Sequence, residues 1–120
     1  MKTVFIVSPL RGTTTQLAKC ITDEERADLF EANLALAESL CHEVTIKGHA
    51  AFAPHVFYPL FLDDRKSEER ALGMKAGHAW LLKADEAWVY LKYGASEGMR
   101  AEIALAMEQR IEIVYPAEWA

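Results

Sequence analysis

Ser96, Gly98 and Glu102 fall in one short segment, SEGMRAE, and their types suit the handling of an anion beside a carboxylate. A serine opening a helix, with a glycine in the first turn, offers a hydroxyl and backbone N–H groups to a ligand such as phosphate. Glycine there costs roughly 1 kcal/mol relative to alanine, a cost that close approach of a ligand would offset. Glu97 would repel a phosphate unless it points outward. Glu102 follows about one and a half turns after Ser96. Its helical neighbours are Gly98, Met99, Leu105 and Ala106, so the carboxylate shares a face with small and apolar groups. Close to a helix N-terminus it is expected to stay ionised, because the dipole favours its charge. An ionised carboxylate facing the anomeric carbon of a sugar can trap an oxocarbenium-like centre covalently. The plainer readings of these residues are an N-cap serine, a tolerated glycine and a part-exposed helix glutamate.

Two other segments carry candidate chemistry. In Ser8-Pro9-Leu10-Arg11-Gly12, the glycine lets backbone come close to an anion and the arginine offers a bidentate fork for phosphate. The plainer reading is a strand-to-helix loop with a solvated arginine. In Pro54–Asp64, PHVFYPLFLDD, one of Asp63 and Asp64 could protonate a leaving nucleobase or orient a water, and both also suit the approach to a helix. His55 in the same segment could contact a base. Phe57, Tyr58 and Phe61 could stack on one, or pack in the core or a subunit interface. His42, His49 and His78 have no ligand-like spacing, so no metal site is expected, and no cofactor.

The elements that must position these residues alternate along the chain. Thr3–Ser8 is a short, continuously apolar run that suits a strand buried on both faces. Asp23–Lys47 repeats Leu29, Asn33, Leu36, Leu40 and Val44 at helical spacing, with Thr22 or Asp23 as its cap and Gly48 as its stop. Ala50–Ala53 reads as a weak strand, Pro54–Asp64 as an irregular loop, and Ser67–Ala84 as a helix capped by Ser67. Ala87–Leu91 is a third strand, Glu97–Gln109 a third helix and Ile111–Tyr115 a last strand. The order predicts an α/β fold, a Rossmann-like three-layer sandwich with a mainly parallel sheet of four to five strands, in one domain over 1–120. Ligands in such folds bind beyond the carboxyl ends of the strands, which gathers Ser8–Gly12, the 54–64 segment and Tyr93–Gly98 around one crevice.

Composition bounds the reading. The chain has 120 residues, 52% hydrophobic and 26% charged, which fits one domain with one core. A net charge of −5 argues against binding a nucleic acid polymer, though not against a single nucleotide. Cys20 and Cys41 match no metal or redox spacing and are expected as free thiols in a reducing cytoplasm. The first apolar run is too short for a signal peptide or membrane span, so no membrane partner is expected.

Four motifs in order, S-P-L-R-G, A-P-H-V-F-Y-P-L-F-L-D-D, A-D-E-A-W-V-Y and S-E-G-M-R-A-E-I-A-L-A, resemble the nucleoside 2-deoxyribosyltransferase-like superfamily, in particular a small phage- or prophage-type branch. The resemblance spans roughly Val4 to Val114 and leaves Thr13–Thr22 uncovered. It implies a Rossmann-like fold, a homodimer or higher symmetric oligomer, and cleavage of the N-glycosidic bond of a nucleoside 5′-monophosphate, by hydrolysis or deoxyribosyl transfer. It implies Glu102 as the nucleophile, Ser96 as a phosphate-binding serine and Arg11-Gly12 as the matching arginine-glycine pair; Gly98, Met99, Ser8 and His55 are the further candidate substrate contacts read from the sequence itself. Phe5 stands at the apparent place of a tyrosine that orients the nucleophile in many members. The hydrolases' aspartate before the third strand falls near Gly77 or His78, which leaves Asp64 or Asp63 to assist the leaving base. The alternative is a non-catalytic protein that sequesters a nucleotide or an ADP-ribose-type signal.

Overall fold

A computed structural model describes residues 1–120. Its centre is the continuous apolar run β1 (Thr3–Val7), which pairs in parallel on one side with β2 (Ala50–Phe52) and on the other with β3 (Glu86–Val89); β3 then pairs with β4 (Glu112–Val114). The sheet is four-stranded with order β2-β1-β3-β4. The helices are α1 (Thr14–Leu17), α2 (Asp23–Ile46), α3 (Pro54–Phe57), α4 (Ser67–Leu81) and α5 (Glu97–Glu108). Side chains of β1 and β3 alternate between two cores, as strand periodicity requires. Val4, Ile6, Trp88 and Tyr90 meet Ala37, Leu40 and Val44 of α2. Phe5, Val7, Ala87 and Val89 meet Leu81 of α4 with Met99 and Ala106 of α5. The result is the α/β sandwich that the alternation of elements predicts.

Three segments differ from the sequence reading. Pro54–Asp64 is not an irregular loop. Pro54 opens α3 at its first position, where a missing N–H costs nothing, and Tyr58–Leu60 continues as a 3-10 turn. Thr13–Thr22 contains α1, held by a capping box between Thr13 and Gln16. Ser67 is the first residue of α4 rather than its cap; Lys66 holds the cap position with no side-chain bond. The C-terminal 3-10 turn, Ala117–Trp119, was not foreseen. Trp119 is buried against Trp88 and Tyr90, and its Nε1 donates to Glu43 at 2.6 Å. No helix is long and apolar enough to cross a membrane.

Chain order and sheet order together locate the crevice. The chain leaves β1 for β2 on one side, then crosses back to β3 on the other. The carboxyl ends of β1 and β3 therefore diverge at a switch point, where this class of sheet opens to ligands.

Candidate functional site

A cavity of ≈ 570 Å³ opens at that switch point. Its walls come from the loop after β1, from α3 and the turn that follows, from α4 and from the first turns of α5. Arg11, Gly12, His55 and Asp64 line it together with Ser96, Gly98, Met99 and Glu102. Segments distant in sequence are thus gathered as the sheet topology predicts.

The start of α5 is capped by its own residues and leaves two backbone donors free of the helical ladder. Ser96 Oγ accepts from the Met99 N–H at 3.2 Å, and the Ser96 N–H contacts Met99 Sδ at 3.4 Å. The first helical carbonyl bond is Arg100 N–H to Ser96 O at 2.9 Å. The N–H groups of Glu97 and Gly98 precede that ladder and have no helical carbonyl to meet. A Cβ at Gly98 would meet no protein atom within 4 Å, so packing does not require glycine there. Glu97 is exposed but borders the cavity, and its charge opposes an anion at the mouth.

Glu102 sits one turn further along, 6% exposed. Its carboxyl has no hydrogen-bond or ion-pair partner in the protein. Burial alone pushes its pKa up to about 8. This corrects the sequence expectation of an ionised carboxylate: at the buried face of α5, desolvation outweighs the helix dipole. In the ligand-free protein the group is mostly protonated at neutral pH.

The loop after β1 is held from below. Asn33 of α2, 2% exposed, donates from Nδ2 to Leu10 O at 3.0 Å, and its Oδ1 accepts from Gln16 Nε2 at 3.0 Å. Gln16 Oε1 in turn accepts from the Thr13 N–H at 3.0 Å. By spacing alone Asn33 is one more position of the α2 stripe; a polar residue in an apolar repeat is the signal that sets it apart. Gly12 has φ +124°, a conformation that favours glycine whether or not an anion binds, and a Cβ there would also stand 2.7 Å from Leu29 Cδ2, so that side chain would have to move.

Arg11 does not reach freely into the cavity. Its Nε donates to Asp64 Oδ2 at 2.5 Å and its Nη2 to the Asp64 carbonyl at 2.6 Å. This clasp ties the loop after β1 to the segment before α4 and leaves the remaining guanidinium N–H groups unbonded. Asp63 lies outside the cavity wall. It is taken up by Arg65, whose Nε and Nη2 lie 3.0 and 3.2 Å from its oxygens and hold its carboxyl below the usual range. Ser8 is sealed at 1% exposure, and its Oγ has no partner. Its carbonyl is the useful atom, since His55 Nε2 lies 2.9 Å away. Burial, only partly offset by that bond and by Asp64, lowers the His55 pKa to about 4, so the ring is neutral. On α4, Met74, Gly77 and His78 complete the wall. Nothing in the weak apolar pattern of Ser67–Leu81 marks them from sequence.

A family model described as "Domain of unknown function (DUF7768)" matches residues 2–116. No curated protein matches the chain.

Proposed function

The chain belongs to the DUF7768 family, and from the chemistry of its cavity we propose that it is an N-glycosidase acting on a nucleoside 5′-monophosphate. The observation that carries this reading is a single carboxyl, Glu102, buried in a nucleotide-sized cavity without a protein partner. Structural glutamates that are this buried are normally paired. An unpaired one beside free N–H groups and an arginine suits chemistry on a phosphorylated sugar.

In this mechanism the 5′-phosphate meets the N–H groups of Glu97 and Gly98, the Ser96 hydroxyl and the free edge of Arg11. Glu102, after losing its proton, attacks C1′ as the C1′–N bond breaks. The base leaves with a proton from solvent, since Asp64 is held as an acceptor by Arg11. Water then attacks C1′ of the glycosyl ester, releasing sugar 5′-phosphate and the carboxylate of Glu102. A second base in place of water gives deoxyribosyl transfer.

A second reading, nucleotide binding without turnover, is favoured by one observation. Asp64 is already engaged by Arg11 through both its carboxylate and its carbonyl, which leaves no uncommitted acid for the leaving base. Incubation with a panel of nucleoside monophosphates, followed by chromatography for free base, separates the two. Released base with matching sugar phosphate supports the glycosidase. Thermal stabilisation by a nucleotide with no base released supports the binder.

A homodimer is part of this proposal, supported by the half-exposed aromatics Phe57, Phe61 and Trp80. A reducing, cytoplasmic setting is in keeping with free Cys20 and Cys41.

A further inference from the structure

We propose that His55 is a specificity-determining residue whose Nδ1 accepts a hydrogen bond from a donor on the bound nucleotide. The inference rests on the nucleotide reading of the cavity and names what one wall of it selects.

The tautomer follows from geometry. His55 Nε2 lies 2.9 Å from the Ser8 carbonyl oxygen. A carbonyl can only accept, so Nε2 carries the proton and Nδ1 keeps a bare lone pair. Burial keeps the ring from taking a second proton near neutral pH. Nδ1 has no partner in the protein, and it is not among the sealed, unpartnered side-chain atoms, so it remains accessible. His55 lines the same cavity as Glu102 and Arg11. The Nδ1 of His49, sealed without a partner away from the cavity, shows the contrast.

The ring is also held in place. Pro54, buried at the first position of α3, fixes the backbone immediately before it, and the bond to Ser8 O opposes a flip that would turn an N–H toward the ligand. The Tyr58 hydroxyl accepts from Trp80 Nε1 at 2.9 Å, and Arg11 and Arg70 can only donate. A ligand carbonyl opposite Nδ1 would set two acceptors face to face, whereas an amino or hydroxyl group would bond. Sites built to bond a substrate N–H or O–H discriminate far more sharply than apolar pockets.

The shared chemistry is a hydrogen-bond donor, supplied either by an exocyclic amino group or by the 2′-hydroxyl of ribose. Binding of AMP, IMP and dAMP to the intact protein distinguishes the sources. Preference for AMP over IMP by about tenfold or more assigns the amino group; the same preference over dAMP assigns the hydroxyl. His55→Gln places an amide N–H at the position of Nε2, keeps the bond to Ser8 O and removes the acceptor. It should retain the melting temperature and reduce the preference to within about twofold. His55→Asn, with an oxygen near the Nδ1 position, should restore part of the preference. In ¹⁵N spectra of the imidazole, the free protein should show a protonated Nε2 and a bare Nδ1, and the preferred nucleotide should move the Nδ1 signal. A protonated Nδ1 in the free protein overturns the assignment, as does an undiminished preference in His55→Gln. Tight binding of all three nucleotides with no preference and no Nδ1 shift overturns this inference alone. Failure of every nucleotide to bind overturns it together with the nucleotide reading.

Discussion

Glu86 and Glu102 are the same residue type, each 6% exposed, on neighbouring elements at opposite ends of the sheet, and burial has left them in opposite states. Glu86 accepts from Lys2 Nζ at 2.7 Å and from Trp88 Nε1 at 2.9 Å, and those bonds hold its pKa down at about 2 against the burial that would raise it. Glu102 has no such partner, and burial pushes its pKa up to about 8. Exposure alone therefore does not set the protonation state of a buried carboxyl. The presence or absence of compensating donors does. At the amino end of the sheet the fold neutralises a buried charge. At the carboxyl end it leaves a buried carboxyl without donors beside a cavity, and burial keeps that carboxyl protonated rather than charged at neutral pH.

The largest effect that would sharpen this contrast is on stability against pH. The folded pKa of Glu102 lies above the unfolded value of 4.5, so the native state holds an extra proton between about pH 4.5 and 8. Stability should therefore fall across that window by about 1.4 kcal/mol per pH unit from this group. Glu102→Gln should remove that slope and raise the melting temperature at pH 8.5 by roughly 5 °C or more, with little change at pH 5. Calorimetry that finds equal shifts at both pH values would break the comparison.

The same proton should govern turnover. As the nucleophile must be ionised, kcat/KM should rise about tenfold per pH unit below pH 8 and level off above it. A profile flat from pH 6 to 8 would mean that Glu102 is not the titrating group.

Gly98→Ala tests the anion side of the same end. The new methyl meets open space within the protein, so stability should rise by up to about 1 kcal/mol. Nucleotide affinity should fall about tenfold if a phosphate approaches that backbone, as isothermal titration would read.

The smallest effect belongs to the compensated carboxyl. Glu86→Gln keeps an acceptor for Trp88 and loses an ion pair with Lys2, whose side chain is 60% exposed. Chemical denaturation should register a loss of about 1 kcal/mol or less, shrinking in high salt.

Much of the fold was legible because periodicity survives in the long elements. The uninterrupted Val4–Val7 run marks a strand buried on both faces, and the Leu36, Leu40 and Val44 spacing marks α2; both hold within a residue or two in the structure. The one-turn helices α1 and α3 and the Trp119 turn were not legible, since a single turn carries no period and is fixed by tertiary contacts. At the site, SEGMRAE and Arg11-Gly12 were visible as residue types suited to anions, and sheet topology brought them to one crevice. Three facts needed three dimensions: that Asp64 rather than Asp63 faces Arg11, that Asn33 props the loop, and that Glu102 lacks a partner. Each depends on which way a side chain turns, and spacing does not encode that.

The most direct measurement is release of free base from nucleoside monophosphates by the wild-type protein, Glu102→Gln and Glu86→Gln side by side. Wild type and Glu86→Gln should release base, and Glu102→Gln should lose at least about a thousandfold in rate while still binding nucleotide. Base release by Glu102→Gln at the wild-type rate would contradict the glycosidase mechanism.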